Sequence, residues 1–285
     1  MLFSECIISH FRFSMFTSLV IPFCISLIFI GCIHRSPVRV PLVNRRVVTN
    51  LGGRSVDMKL SPYDQNFFYA SQVRNCFGSS FQVGPFRFND RNARVISEIV
   101  PMARLAVGPR SPLVSRFRSV DIVGDELVIG DRHGSIFRAS CVPGTNVRIP
   151  INYSTHASFA GSVRVGAAQQ DSPQIMISET HGAAIEVPYS IWQELDEALE
   201  PKTDDSSFVL CDDQSMDRFP TIDVMIESTG ATIRLYPQDY LKKFAWRCRL
   251  VVRPGPFRNI ILNPLEVPNT NVRVTRDGFE ICDRN

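Results

Sequence analysis

The stretch Phe219-Pro220-Thr221-Ile222-Asp223-Val224-Met225-Ile226-Glu227-Ser228-Thr229-Gly230-Ala231-Thr232-Ile233-Arg234-Leu235 decides the fold class. Polar and apolar residues alternate from Thr221 to Ile226, and the alternation resumes at Ile233 and Leu235. Successive side chains of a strand point to opposite faces, so the pattern gives two strands with one buried face. Ser228-Thr229-Gly230 supplies the turn between them, and the whole predicts a β-hairpin. Asp121 to Gly130 carries a second hairpin signal, two short apolar pieces around Gly124-Asp125. Short strands of this kind dominate from about residue 51 onward. One helix interrupts them. Ile191, Trp192, Leu195, Ala198 and Leu199 share one helical face, with Glu194, Asp196, Glu197 and Glu200 on the wet side. Pro188 precedes it, and Ser190 with Gln193 predicts a capping box. No long internal repeat is visible in the sequence.

The bulk composition is that of a globular chain. The 285 residues are 44% hydrophobic and 21% charged, with a formal net charge of +3. The core is sizeable and wholesale disorder is excluded. The basic residues are scattered along the chain, with no stripe of the kind that nucleic-acid binding needs.

The N-terminus reads differently. Phe13 to Ile33 contains no charged side chain; Arg12 precedes it, and Arg35, Arg39, Arg45 and Arg46 follow. A basic flank, an apolar run and a small residue such as Gly31 describe a signal peptide over residues 1–33, with Met15 an alternative start. A run of this length also suits an uncleaved signal anchor. Either reading sends the chain into the secretory pathway, with an extracellular, lumenal or membrane-anchored domain. Contact with a membrane is then expected only through this segment.

The cysteines are Cys6, Cys24, Cys32, Cys76, Cys141, Cys211, Cys248 and Cys282, with no C-x-x-C pair, which argues against structural zinc. In an oxidising compartment disulfides are the default for the last five. Five is odd, so at least one stays free or pairs with another chain. Asn152-Tyr153-Ser154 is a glycosylation sequon. Phosphate loops, dinucleotide fingerprints, nucleophile elbows and zinc-protease motifs are absent, and the five histidines show no ligand spacing. No cofactor or metal is expected.

Cys211, the run Phe219 to Val224, Ile233-Arg234-Leu235, Pro237-Gln238-Asp239-Tyr240-Leu241 and Cys248 follow in an order that resembles the C-terminal lobe of pepsin-family aspartic proteases. In that family a disulfide loop encloses two strands and a P-x-x-Y turn, so the resemblance implies a Cys211–Cys248 bond. Further stretches are similar to the family: Leu105 to Ser115, Leu127 to Asp131, and Ile260-Ile261-Leu262-Asn263, where Asn263 replaces a glycine. Val38 to Leu42 and the basic residues after it look like the start of an inhibitory prosegment, residues 34–50. The resemblance implies an all-β bilobal fold with few short helices. Its lobes would span residues 51–155, shortened, and 156–285.

The family needs one aspartate per lobe. Two close carboxylates share a proton, one acting as base toward water and the other as acid toward the scissile carbonyl. Val56 to Phe67 is similar to the strand and turn before the first motif, and counting on from Gln65 places the first aspartate position at Gln72, followed by Val73 and Arg74. Glutamine is no general base. Counting back from Pro188 places the second at Glu179, with His181 where glycine normally stands. Only about 35 residues separate Gln72 from Gly108, too few for the family's flap; Phe81 and Phe86 are candidate remnants or core residues. A lost exon would leave the same gap. The resemblance therefore implies a secreted or tethered homologue without the aspartate pair, binding a peptide or protein. The alternative is an active endopeptidase with an unusual dyad that uses Asp64 or Asp90.

Overall fold

The computed structural model describes residues 36–285 except 52–53, 70–79, 90–93, 97–102, 152–157, 179–182, 200–207, 212–215, 245–246 and 256–258. Residues Pro37–Asn285 form one compact unit. The protein is mostly strand. The first strands are β1 (Val38–Pro41), β2 (Arg46–Leu51), β3 (Arg54–Ser61) and β4 (Phe67–Tyr69). β5 (Ser80–Val83), β6 (Phe86–Asn89), β7 (Arg94–Ile96), β8 (Ala103–Ala106), β9 (Ser119–Val123) and β10 (Glu126–Ile129) follow. β11 (Val147–Pro150), β12 (Ser158–Val165), β13 (Ala168–Ile177), β14 (Ile185–Val187) and β15 (Phe208–Leu210) continue the chain. Then come β16 (Ile222–Ile226), β17 (Thr232–Leu235), β18 (Leu241–Phe244) and β19 (Arg247–Leu250). β20 (Val252–Pro254), β21 (Ile260–Leu262), β22 (Thr270–Thr275) and β23 (Gly278–Asp283) complete it. Four short helices, α1 (Pro112–Phe117), α2 (Ser135–Ala139), α3 (Tyr189–Ala198) and α4 (Pro237–Tyr240), lie among the described residues.

The two hairpins read from alternation are present. β16 and β17 pair with Ile222 opposite Leu235 and Val224 opposite Ile233. Those four side chains and Ile226 are buried. β9 and β10 pair around the Gly124-Asp125 turn, Ile122 opposite Leu127. The polar face of the first hairpin is covered too. Asp223 accepts hydrogen bonds from Arg164 and Arg234, each at 2.7 Å. Burial works to raise the Asp223 carboxyl, but its bonds to Arg234 and Arg164 prevail and hold it below the usual carboxylate range.

The strand order contains a repeat that the sequence conceals. One seven-stranded sheet runs β6-β5-β2-β3-β8-β4-β7 and the other β17-β16-β12-β13-β21-β14-β20. Replacing each strand of the first by its counterpart gives the second. In both, an antiparallel hairpin (β2–β3, β12–β13) feeds a strand that lies parallel to the central one (β3 with β8, β13 with β21). The central strand then lies antiparallel to the next one (β4, β14), which in turn pairs in parallel with the edge (β7, β20). The six-stranded sheet, β1-β10-β9-β22-β23-β11, takes three strands from each half and joins them at β9–β22.

β1 and β2 are strands of the sheets: β1 pairs with β10, and Arg45 in the turn between β1 and β2 donates to the carbonyls of Val267, Pro268 and Thr270 at 2.6–2.9 Å. β11 pairs with the C-terminal β23, so by strand pairing the second half begins at Val147. The first half builds a full seven-stranded sheet over buried Val47, Met58, Leu60, Phe68, Phe81 and Leu105. Phe81 is thus a core residue, and Phe86 packs on Phe117 with ring centroids 4.3 Å apart.

Helix α3 buries Ile191, Leu195 and Leu199 as its periodicity requires, while Trp192 is half-buried and Ala198 exposed. The predicted capping box is absent. Pro188 is the N-cap, so Ser190 already lies inside the first turn, and its hydroxyl bonds Gln170 instead. The P-x-x-Y turn is α4. Tyr240 is fully buried and donates its hydroxyl to Pro220 O at 2.5 Å, which ties the turn to the start of the hairpin strand. Two disulfides brace the fold, Cys211–Cys248 and Cys141–Cys282. The first was implied by the resemblance. The second, which spacing could not reveal, pins the segment after α2 to β23.

Candidate functional site

In each half the loop between the parallel pair and the next strand crosses the end of the central strand. In the first half this loop is residues 62–66. It is held by successive groups of the segment that follows β8. Val107 N–H donates to Ser61 O at 2.8 Å and Gly108 N–H to Tyr63 O at 2.9 Å. Ala106 N–H donates to the buried Asn66 Oδ1 at 2.7 Å, and Arg110 N–H to Asp64 Oδ1 at 2.8 Å. Gly108 is required by this packing. A Cβ there would stand 2.4 Å from Pro62 O and 2.6 Å from Tyr63 O, distances no real Cβ tolerates.

In the second half the equivalent loop is residues 178–184, of which 179–182 lie outside the described residues. Its two ends are fixed: Ser178 N–H donates to Leu262 O at 3.1 Å, and Asn263 N–H to Ala184 O at 2.9 Å. Asn263 follows the central strand, as Val107 and Gly108 do in the first half. Its side-chain amide is fully buried, and neither its oxygen nor its nitrogen has a partner among the described residues. A buried amide left unpaired costs about 1–3 kcal/mol.

The two loops meet. Tyr63 Oη and Ser178 Oγ lie 3.2 Å apart, and either can donate. Tyr63 and Ser178 are 115 residues apart in sequence, and nothing local marked them as neighbours. The first half presents Tyr63 at the meeting point, and its neighbour Asp64 spends Oδ1 on the Arg110 N–H.

Gln72 lies outside the described residues, beyond β4, whereas the loop matching 178–184 by strand order is 62–66. Glu179, Asn152 and Asp90 also lie outside them, Glu179 directly after Ser178. The Cys211–Cys248 pair is joined, Cα atoms 5.7 Å apart. Cys76 lies outside the described residues and is the one cysteine after residue 36 that neither disulfide uses. Among the described residues no three His, Cys, Asp or Glu side chains are placed to hold a metal ion. No described helix is long and apolar enough to cross a membrane.

The strongly perturbed carboxyl stands elsewhere, at the β9–β22 seam between the halves. Asp121, fully buried, accepts from Arg273 Nη1 at 2.8 Å. Burial outweighs the neighbouring guanidinium and raises its carboxyl to about 8. Asp131 lies 4.0 Å from the same nitrogen. Burial opposes its ionisation, yet the N–H groups of Ile136 and Ser135 at the start of α2 hold it below the usual range.

No protein-family model matches the chain, and no curated protein is similar to it at a significant level.

Proposed function

We propose that the chain is a divergent homologue of the pepsin-family aspartic proteases that has lost the catalytic pair and binds a peptide or protein outside the cytosol. The observation that carries the reading is the duplicated sheet with its two crossing loops in contact through Tyr63 and Ser178. A bilobal protease of that family would present an aspartate on each loop there. Here Ser61 ends the strand that leads into the first loop, and Ser178 begins the second. Hydroxyls donate and accept hydrogen bonds but neither hold a shared proton nor activate water as a carboxylate does. The half-buried hydroxyls of Tyr63 and Ser178 suit recognition of backbone amides. The two disulfides fit an oxidising compartment, and the apolar N-terminal segment supports delivery by the secretory pathway.

A second reading has one observation in its favour. Asp64 and Glu179 are each the chain neighbour of a residue in the Tyr63–Ser178 contact. If they served as an unusual dyad, Asp64→Asn and Glu179→Gln would each abolish cleavage of a peptide substrate. The leading reading predicts no cleavage by the unaltered protein and saturable binding of an immobilised peptide library. It predicts that Tyr63→Ala weakens that binding with the fold intact. Turnover sensitive to pepstatin would overturn it.

A further inference from the structure

Helix α3 buries Ile191, Leu195 and Leu199 and turns its other face to solvent. On that face Tyr189, Gln193 and Glu197 are all exposed and stand in one row, each four residues from the next. At about 1.5 Å of rise per residue, Tyr189 and Glu197 are about 12 Å apart along the axis. Trp192 flanks the row, half-buried, and its ring stacks on that of Tyr189, centroids 5.9 Å apart and planes 22° from parallel. Glu194 flanks it on the other side, beside Gly166 in the β12–β13 turn.

The charges on this face oppose the helix that carries them. A helix favours acids in its first turn and bases in its last, and α3 has neither. Its acids, Glu194, Asp196 and Glu197, fall in its second half, toward the end where free carbonyls already carry partial negative charge. Glu194 and Glu197 are neighbours on successive turns and repel each other. Neither forms an ion pair among the described residues. A cation brought to this end relieves both strains. The same face offers an anchor. Three large hydrophobic side chains are exposed among the described residues, Val43, Val48 and Tyr189, and of these Tyr189 alone is aromatic. Tyrosine and tryptophan beside a charged rim are the composition of a protein-interface centre, and the face of such a ring attracts a guanidinium or ammonium group.

We propose that the outer face of α3 docks a basic segment of a partner protein, one cationic side chain over the Tyr189 ring and a second at Glu194 and Glu197. The sign of the charge argues against the other occupants. A second copy of this helix, a nucleic acid or an anionic membrane would each set negative charge against Glu194 and Glu197. A span of about 12 Å suits basic residues four apart in an extended segment, at about 3.3 Å per residue. Docking here does not depend on whether the Tyr63–Ser178 contact binds or cleaves peptides.

The test is a fluorescence-anisotropy titration of labelled nonaarginine with the purified protein at low and at physiological salt. The unaltered protein is expected to bind, and to bind more weakly at the higher salt. Tyr189→Ala should weaken binding about tenfold, as loss of an aromatic anchor does, and Tyr189→Phe should restore it. Glu194→Gln/Glu197→Gln should weaken it as well, flatten the salt dependence, and raise the melting temperature, since the acids oppose the helix dipole. Glu227→Gln/Asp277→Asn, exposed in turns outside α3, removes equal charge. That control and Tyr63→Ala should both bind as the unaltered protein does. Binding by the two α3 variants no weaker than by these controls would overturn the proposal, as would a fall in the melting temperature of Glu194→Gln/Glu197→Gln. Displacement by spermine as effective as by unlabelled nonaarginine at equal charge would assign the face to a small polycation and overturn the protein-segment assignment.

Discussion

Asp121 and Gly108 show how single residues set the behaviour of this molecule. Asp121 is a buried carboxyl at the seam between the halves, raised to about 8 in the folded protein. In the unfolded chain it returns to about 4. A group raised in the fold contributes stability that is complete below the unfolded value and is lost as pH rises through the folded one. Asp131 acts oppositely, because its lowered carboxyl contributes stability above the unfolded value that is lost as pH falls through the folded one. Thermal unfolding followed from pH 4 to 8 should therefore show a falling component that Asp121→Asn removes. Parallel profiles for the two proteins would contradict this account. Gly108→Ala drives a Cβ into Pro62 O and Tyr63 O. Backbone on both sides cannot yield cheaply, so the cost is about 1–3 kcal/mol in chemical denaturation. The same displacement should separate Tyr63 from Ser178. Neither position announces itself in sequence: Gly108 reads as one more turn residue, and the partner of Asp121 lies 152 residues away.

At the scale of elements, local pattern and long-range pairing divide cleanly. The hairpins β9–β10 and β16–β17 were legible because an alternating strand, a turn and a second strand are contiguous in the chain. The helix α3 was legible from its apolar face, although its start was misread. Ser190 has the right chemistry for a cap, but Pro188 had already begun the helix. The parallel pairs β3–β8 and β13–β21 were not legible, since nothing in an apolar strand names its partner. Gln72 lies outside the described residues, and the crossing loop 62–66 is fixed by where β3 and β4 flank β8. Disulfides follow the same division. Cys141–Cys282 closes a far longer loop than Cys211–Cys248, 141 against 37 residues. Each should contribute about 2–4 kcal/mol, and loop entropy makes the longer one worth about 1 kcal/mol more. Unfolding of the two paired Cys→Ser variants measures this. An equal or smaller loss at Cys141/Cys282 would show that entropy is not the controlling term there. Thiol titration of a protein beginning near residue 37 should find one free group, Cys76.

For the whole molecule, the repeat is the property with the widest consequence. The two seven-stranded sheets share strand order and strand direction, yet β3 (Arg-Ser-Val-Asp-Met-Lys-Leu-Ser) and β13 (Ala-Gln-Gln-Asp-Ser-Pro-Gln-Ile-Met-Ile) share little sequence. A sheet asks only for apolar side chains on the face that is buried, so topology persists where residue identity does not. Duplication places two equivalent loops in contact, and the chemistry of the site then depends on what those loops carry. Here they carry hydroxyls at the contact, with Asp64 committed to Arg110.

The central claim is that this duplicated scaffold recognises peptides without cleaving them. The direct measurement is incubation of the folded, purified domain with a mixed peptide library from acid to neutral pH, with and without pepstatin, read by mass spectrometry. The account predicts an intact library and retention of a subset of its peptides on the immobilised protein. New termini that appear without pepstatin and vanish with it would contradict the claim and make Asp64 and Glu179 the residues to test as a working pair.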